Sequence, residues 1–377
     1  MHILISPNAF KHSLNAEQAA VAIRTGLLQS KLHCTCECFP IGDGGDGTAE
    51  LIIKKCGGQV IYATVSDPFN RKINASFGLI DDGKTAVIEM ANASGIRLLS
   101  GEELNPLRAS SFGTGEQIKM ALDKGARKII IGMGGSATVD GGVGILKALG
   151  IRFFDEADNE LTNLPENLIN LSSVDVSNLD KRIAESTVIV LCDVDNLLLG
   201  EQGAATVFGP QKGASPEGVK KLDAALTKLA EVAFKLTGKN MSLIKSGGTA
   251  GGAAAGLFAY LNAELVNGID YFLQLTNFDN AMQKTDLVIT GEGSIDEQTL
   301  QGKGPFGVAS RAKLKGLPVI AFAGKVPLHK NEMLQKYFDV LLPIGHQPSN
   351  LPEALVETEN NLTRTAAALG DLLALSK

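Results

Sequence analysis

Short apolar runs alternate with amphipathic stretches at both ends of the chain. Residues 2–6 read as a strand. Asn15 then offers an N-cap with Gln18 three positions on, and Ala19, Ala20, Ile23 and Leu27 recur at helical spacing. A second strand is expected at 34–39 and a second helix at 48–56. The same rhythm returns late, with strands expected at 286–290, 318–323 and 339–343, and with Pro305 suited to the first position of a helix. Matching βα alternation at the two ends predicts an α/β protein whose parallel, Rossmann-like sheet is built from both termini.

The middle of the chain has another texture. Residues 73–91 read as a hairpin around Asp81-Asp82-Gly83, and 127–131 and 187–191 as buried strands. Ser215 and Pro216 open a long amphipathic helix with Leu222, Leu226 and Leu229 facing inward. The expected organisation is two α/β domains. A discontinuous one covers 1–58 plus 284–377, a second is inserted over 59–283, and an active-site cleft lies between them.

Composition narrows the function. Among 377 residues, Lys+Arg number 35 against Asp+Glu 41, a net charge of −6 with no basic block, which argues against a polyanionic partner such as nucleic acid. The first residues lack the basic and apolar regions of a secretion signal, and the longest uncharged stretch, 246–263, is too rich in Gly and Ala for a membrane span. A cytoplasmic location without membrane contact is expected. Cys34, Cys36 and Cys38 alternate along one strand and read as reduced, packed thiols rather than a metal triad. The five histidines show no metal spacing, and no nucleophile elbow is present. The 42 glycines are the unusual feature, because they cluster in loops where backbone can approach a ligand closely.

Two motifs mislead. Residues 78–85 satisfy the P-loop pattern, but a strand follows Lys84 where phosphate binding needs a helix, so a hairpin turn is the better reading. Residues 132–137 fit G-x-G-x-x-A, with Asp155 available as a ribose ligand, but Gly141, Gly142 and Gly144 would interrupt the required helix at about 1 kcal/mol each. A phosphate nest from Gly134 to Gly144, including Gly135, Ser136, Thr138 and Asp140, fits better, the alternative being a tightly packed turn. Four further loops follow strands of the terminal sheet. They carry Asn8 and Lys11, then Asp43 and Asp46, then 291–304 with Lys303, and last Gly324 and Lys325. Asp193 and Asp195 end the 187–191 strand, where paired carboxylates can hold Mg²⁺ or accept a hydroxyl proton, and Lys212 lies on a nearby turn.

Taken together, residues 6–11, 42–48, 132–144, 193–196, 203–213, 248–256 and 291–309 resemble the type-1 glycerate kinase family over nearly the whole chain. GGSATVDGG, VFGPQKGA and TGEGSIDEQTLQGK are the most specific of these stretches. The resemblance implies ATP-dependent phosphorylation of D-glycerate with Mg²⁺, the 2-hydroxyl being favoured as acceptor. On that reading the nest and Lys212 hold ATP phosphates, while Arg71, Lys11 and Lys303 meet the glycerate carboxylate. Asp43 and Asp46 orient hydroxyls, Asp193 is the base and Asp195 holds Mg²⁺, with those last two roles exchangeable. Lys11 also counts among the catalytic residues. Departures from the family pattern include Asn8, Ala9, His12, Asp46, Leu197 and Ser294, the last where Arg is common. A nicotinamide-dependent oxidoreductase of a small hydroxy acid and a non-catalytic anion-binding protein are the competing readings.

Overall fold

The computed structural model describes residues 1–375. Its strands, in chain order, are β1 His2–Pro7, β2 Thr35–Cys38, β3 Gln59–Ser66, β4 Lys72–Ile80, β5 Thr85–Glu89, β6 Lys128–Gly132 and β7 Arg152–Phe154. They continue as β8 Ser173–Asp175, β9 Thr187–Cys192, β10 Glu264–Asn267, β11 Leu287–Ser294, β12 Val319–Lys325 and β13 Val340–Pro343. The chain divides into two compact units, Gly44–Gly268 and a terminal unit made of Met1–Asp43 with Ile269 onward.

The terminal unit holds a five-stranded sheet in the order β13-β12-β11-β1-β2, every pairing parallel. The two ends of the chain meet at its centre, where Ile5 is level with Ile289 and Ile289 with Ile320. These side chains are apolar because this centre is covered on both faces. Ile3, Ile23, Leu27, Phe322 and Leu362 share one buried cluster with them. The helix Ala16–Gln29 starts as expected. Asn15 accepts from the Gln18 amide while the Gln18 side chain accepts from the Asn15 amide, a reciprocal capping box.

The central unit carries a six-stranded sheet in the order β10-β9-β6-β5-β4-β3. β5, β6, β9 and β10 run parallel, whereas β3, β4 and β5 form an antiparallel meander. Residues 81–83 make the tight turn between β4 and β5, so Lys84 precedes a strand and the P-loop pattern has no helix behind it. The long helix Pro216–Thr237 is capped by Ser215, whose hydroxyl accepts from the Gly218 amide, and it buries Leu222, Leu226 and Leu229.

The units divide at 43/44 and 268/269, whereas the sequence pattern places divisions at 58/59 and 283/284. Packing accounts for the difference. In the helix Thr48–Lys55, Ile53 presses on Gly78 of β4 so closely that a Cβ there would lie 2.2 Å from its Cδ1. Likewise Ile269 lies against Gly307 in the helix Gly304–Leu314, where an added Cβ would come within 2.5 Å. Neither contact leaves a local mark in hydrophobic periodicity. No described helix is long and apolar enough to cross a membrane.

Candidate functional site

In the terminal unit, polar side chains gather where β1, β2 and β11 end. Beyond β2 the chain stays bonded to β1, Phe39 donating to Ile5 and Ile41 to Pro7, and this delivers Asp43 to the edge. Asp43 Oδ2 accepts from Asn8 Nδ2 at 2.8 Å and from the Gly304 amide at 3.4 Å, at the start of the helix Gly304–Leu314. Lys303 is the N-cap residue of that helix. Glu292, in the last part of β11, is buried and accepts from Thr299 Oγ1 at 3.2 Å. Burial pushes its carboxyl up to about 7 with help from Asp43, while the Lys303 ammonium, the Thr299 hydroxyl and Lys11 pull the other way. Lys11, Asp43 and Lys303 therefore converge on a carboxylate that sequence reasoning did not select. One signal was present: glycines flank Glu292 directly after the buried run Leu287–Thr290.

In the central unit, Glu89, Gly132 and Leu191 are level across the carboxyl edge formed by β5, β6 and β9. Residues 44–47 lie over this edge. The Gly44 carbonyl accepts from the Gly134 amide at 2.9 Å, and the Gly47 amide donates to Glu89 Oε1 at 2.6 Å. Glu89 is buried, and desolvation raises its carboxyl to about 7 against the pull of the Gly47 amide, with the Asp46 charge adding to the rise. Glu89 too was missed, because a single Glu at a strand end looks like ordinary surface. Asp46 sits on Gly135, which has φ +69°, and a Cβ at Gly135 would fall 2.3 Å from Asp46 Oδ1. Glycine meets both demands at once.

The expected nest follows β6. Ser94 and Ile96 fix it through backbone bonds to Ala137 and Gly135, each between 2.8 and 2.9 Å. Lys212 reaches in from a 3₁₀ turn, and its Nζ donates to Ser136 Oγ at 2.9 Å and to the Thr138 carbonyl at 2.7 Å. Burial lowers the Lys212 ammonium to about 7, opposed by Asp140. Thr138 Oγ1 is buried without a hydrogen-bond partner among the described residues. Asp140 has a different place from the one expected. It has no exposed surface, and its carboxylate accepts from the Ser111 amide and hydroxyl and from the Gly142 and Gly144 amides, so it holds the turn rather than facing a ligand. Gly141 and Gly142 have φ of +61° and +78°, which excludes the helix a dinucleotide fingerprint needs. Asp155 accepts from the Ala157 and Asn159 amides in an exposed turn.

Asp193 and Asp195 follow β9. Asp193 is half-buried, and the exposed Asp195 pairs with Lys245 Nζ at 3.1 Å. Arg71 stands apart from these groups in its contacts. Its guanidinium is held at 2.5 Å by both Asp67, on the same β3–β4 turn, and Glu103. Among the described residues, no group of three or more His, Cys, Asp or Glu is placed to hold a metal ion.

Comparison with known proteins completes the picture. The model of the Glycerate kinase family matches residues 3–374. A protein named glycerate kinase from Haemophilus influenzae is 42% identical over 374 residues, covering 99% of each chain. One named glycerate 2-kinase from Escherichia coli K12 is 40% identical over 375 residues, covering 100% of this chain and 98% of its own. A crystal structure from Salmonella typhimurium LT2, assigned to a glycerate kinase 2, superposes with a TM-score of 0.83 at 39% identity, covering 100% of this chain and 99% of that one.

Proposed function

The chain belongs to the glycerate kinase family of phosphotransferases, and from that premise we propose that it transfers a phosphoryl group from ATP to the 2-hydroxyl of D-glycerate with Mg²⁺. The observation that carries this reading is the Lys212 ammonium, buried against Ser136 Oγ and the Thr138 carbonyl in a glycine-rich turn at a strand end. A buried cation beside an unpartnered hydroxyl, Thr138 Oγ1, suits a phosphate that would partner both. Gly134, Gly135, Ser136, Thr138 and Lys212 would hold the ATP phosphates, and Asp140 would keep their turn in shape.

Asp195 would be the Mg²⁺ ligand, since Mg²⁺ needs few protein carboxylates when phosphate and water complete its shell. Mg-ATP supplies the phosphoryl group and offsets the charge that builds during transfer. The residues of the chain position and deprotonate the acceptor. Lys11 and Lys303, both beside Glu292, would pair with the glycerate carboxylate. Arg71 is already engaged by two carboxylates, so the lysines take this task instead. Asp43 and Asp46 would orient the hydroxyls, and Asp193 would accept the proton of the attacking one.

The test is ADP release that depends on D-glycerate, with ³¹P NMR separating the 2- from the 3-phosphorylated product. Asp193→Asn is expected to lower kcat by about 10²–10⁴ while ATP binding is kept. Near-normal turnover would remove Asp193 from the base role, and absence of glycerate-dependent ADP would end the reading.

A further inference from the structure

β2 is the outer strand of the terminal sheet, so among the described residues one of its long edges has no neighbouring strand. Thr35 and Glu37 turn to His2 on β1, Thr35 Oγ1 lying 2.7 Å from His2 Nδ1 and Glu37 3.9 Å from His2 Nε2. Alternation sends Cys34, Cys36 and Cys38 to the other face, where they pack beside the helix Ala16–Gln29. The inner thiol, Cys38, is directed at the Ala20 carbonyl at 3.6 Å. The outer two meet each other, with Cys34 Sγ 3.8 Å from Cys36 Sγ. Both line an open pocket of about 590 Å³ that Arg24 and Gln29 also border. Two half-buried sulfurs in contact, open to solvent on one side, are a different object from packed core thiols.

We propose that Cys34 and Cys36 form a two-thiolate site for a soft monovalent metal cation such as Cu(I). Soft thiolates select such ions over the hard cations that phosphoryl transfer uses. The binding step changes no oxidation state. Both S–H bonds break, two protons pass to water, and two metal–sulfur bonds form. The resulting unit carries one negative charge, which the Arg24 guanidinium at the pocket rim offsets. Binding leaves the groups assigned to phosphoryl transfer untouched, so it stands or falls independently of that activity.

The test uses the full, reduced chain without oxygen. Titrated against Cu(I) held by the coloured chelator bicinchoninate, it is expected to withdraw one equivalent. The metal-loaded protein should then resist iodoacetamide at Cys34 and Cys36 while Cys56 still reacts, as read by peptide mass. Cys34→Ser and Cys36→Ser should each weaken withdrawal at least tenfold, and Cys56→Ser should not. Undiminished alkylation of the pair in metal-loaded protein would overturn the assignment, as would full withdrawal by either pair variant. The alkylation result needs no variant, so a misfolded mutant cannot decide the matter.

Discussion

Asp140 accepts from four protein donors and shows none of its surface to solvent. Such a carboxylate cannot be exchanged for its amide without pointing an NH₂ group at N–H and O–H donors. Asp140→Asn is expected to cost about 1.5–3 kcal/mol, the range for hydrogen bonds to a charged group and for donors left unmet. Urea denaturation would read this as a lower midpoint at unchanged slope, and an unchanged midpoint would mean that the turn has other supports. The same residue marks what single positions disclose. A glycine-rich run with Ser, Thr and Asp announced that polar chemistry follows β6, yet not which side chains look inward to hold the turn. Glu89 and Glu292 were overlooked for the converse reason. Glu89 ends β5 and Glu292 lies near the end of β11, contexts where Glu is common at the surface, and the folded neighbours, Gly47 for one and Thr299 with Asp43 for the other, reveal their buried setting.

At the scale of elements the chain is far more legible, because the signals are local. The Asn15–Gln18 capping box, the Ser215 cap and the Asp81–Gly83 turn all stand where spacing and turn chemistry put them. Asn15→Ala removes the acceptor for the Gln18 amide and is expected to cost about 1 kcal/mol, seen as a lower thermal midpoint. No loss would show that packing of Ala19, Ile23 and Leu27 alone fixes the start of that helix. Where elements join into units, legibility falls away. Helix Thr48–Lys55 reads in sequence as part of the terminal sheet's layer, yet its Ile53 finds the bare backbone of Gly78 in the central sheet. A glycine in a strand does not reveal which distant side chain will use the space it leaves.

At the scale of the whole molecule, the buried Glu89, Glu292 and Lys212 titrate in ways that oppose its stability over neighbouring ranges of pH. Glu89 and Glu292 are raised from 4.5 to about 7 when folded. Between those values the folded chain holds protons that the unfolded chain has released, so stability from these two is complete below about pH 4.5 and is lost as pH climbs to 7. Lys212 is lowered from 10.5 to about 7, so above pH 7 the unfolded chain holds the extra proton and stability climbs with pH. Past about pH 9 the trend turns again, since Cys36 and Cys192 are raised from 9.0 to about 12 by burial and favour the folded state less as the unfolded thiols ionise. These groups thus predict a minimum of stability near pH 7, with limbs on the order of 1 kcal/mol per pH unit for each group that titrates. Denaturant midpoints measured from pH 5 to 9 check it. Glu89→Gln and Glu292→Gln should each flatten the limb below pH 7 and leave the other unchanged, whereas Lys212→Met should flatten only the limb above. A profile that is flat in the parent chain, or insensitive to all three substitutions, would mean that water reaches these groups in the folded protein. That outcome would also weaken the proposal of a phosphate site, because a solvated Lys212 would gain no more from an incoming anion than a lysine on the surface.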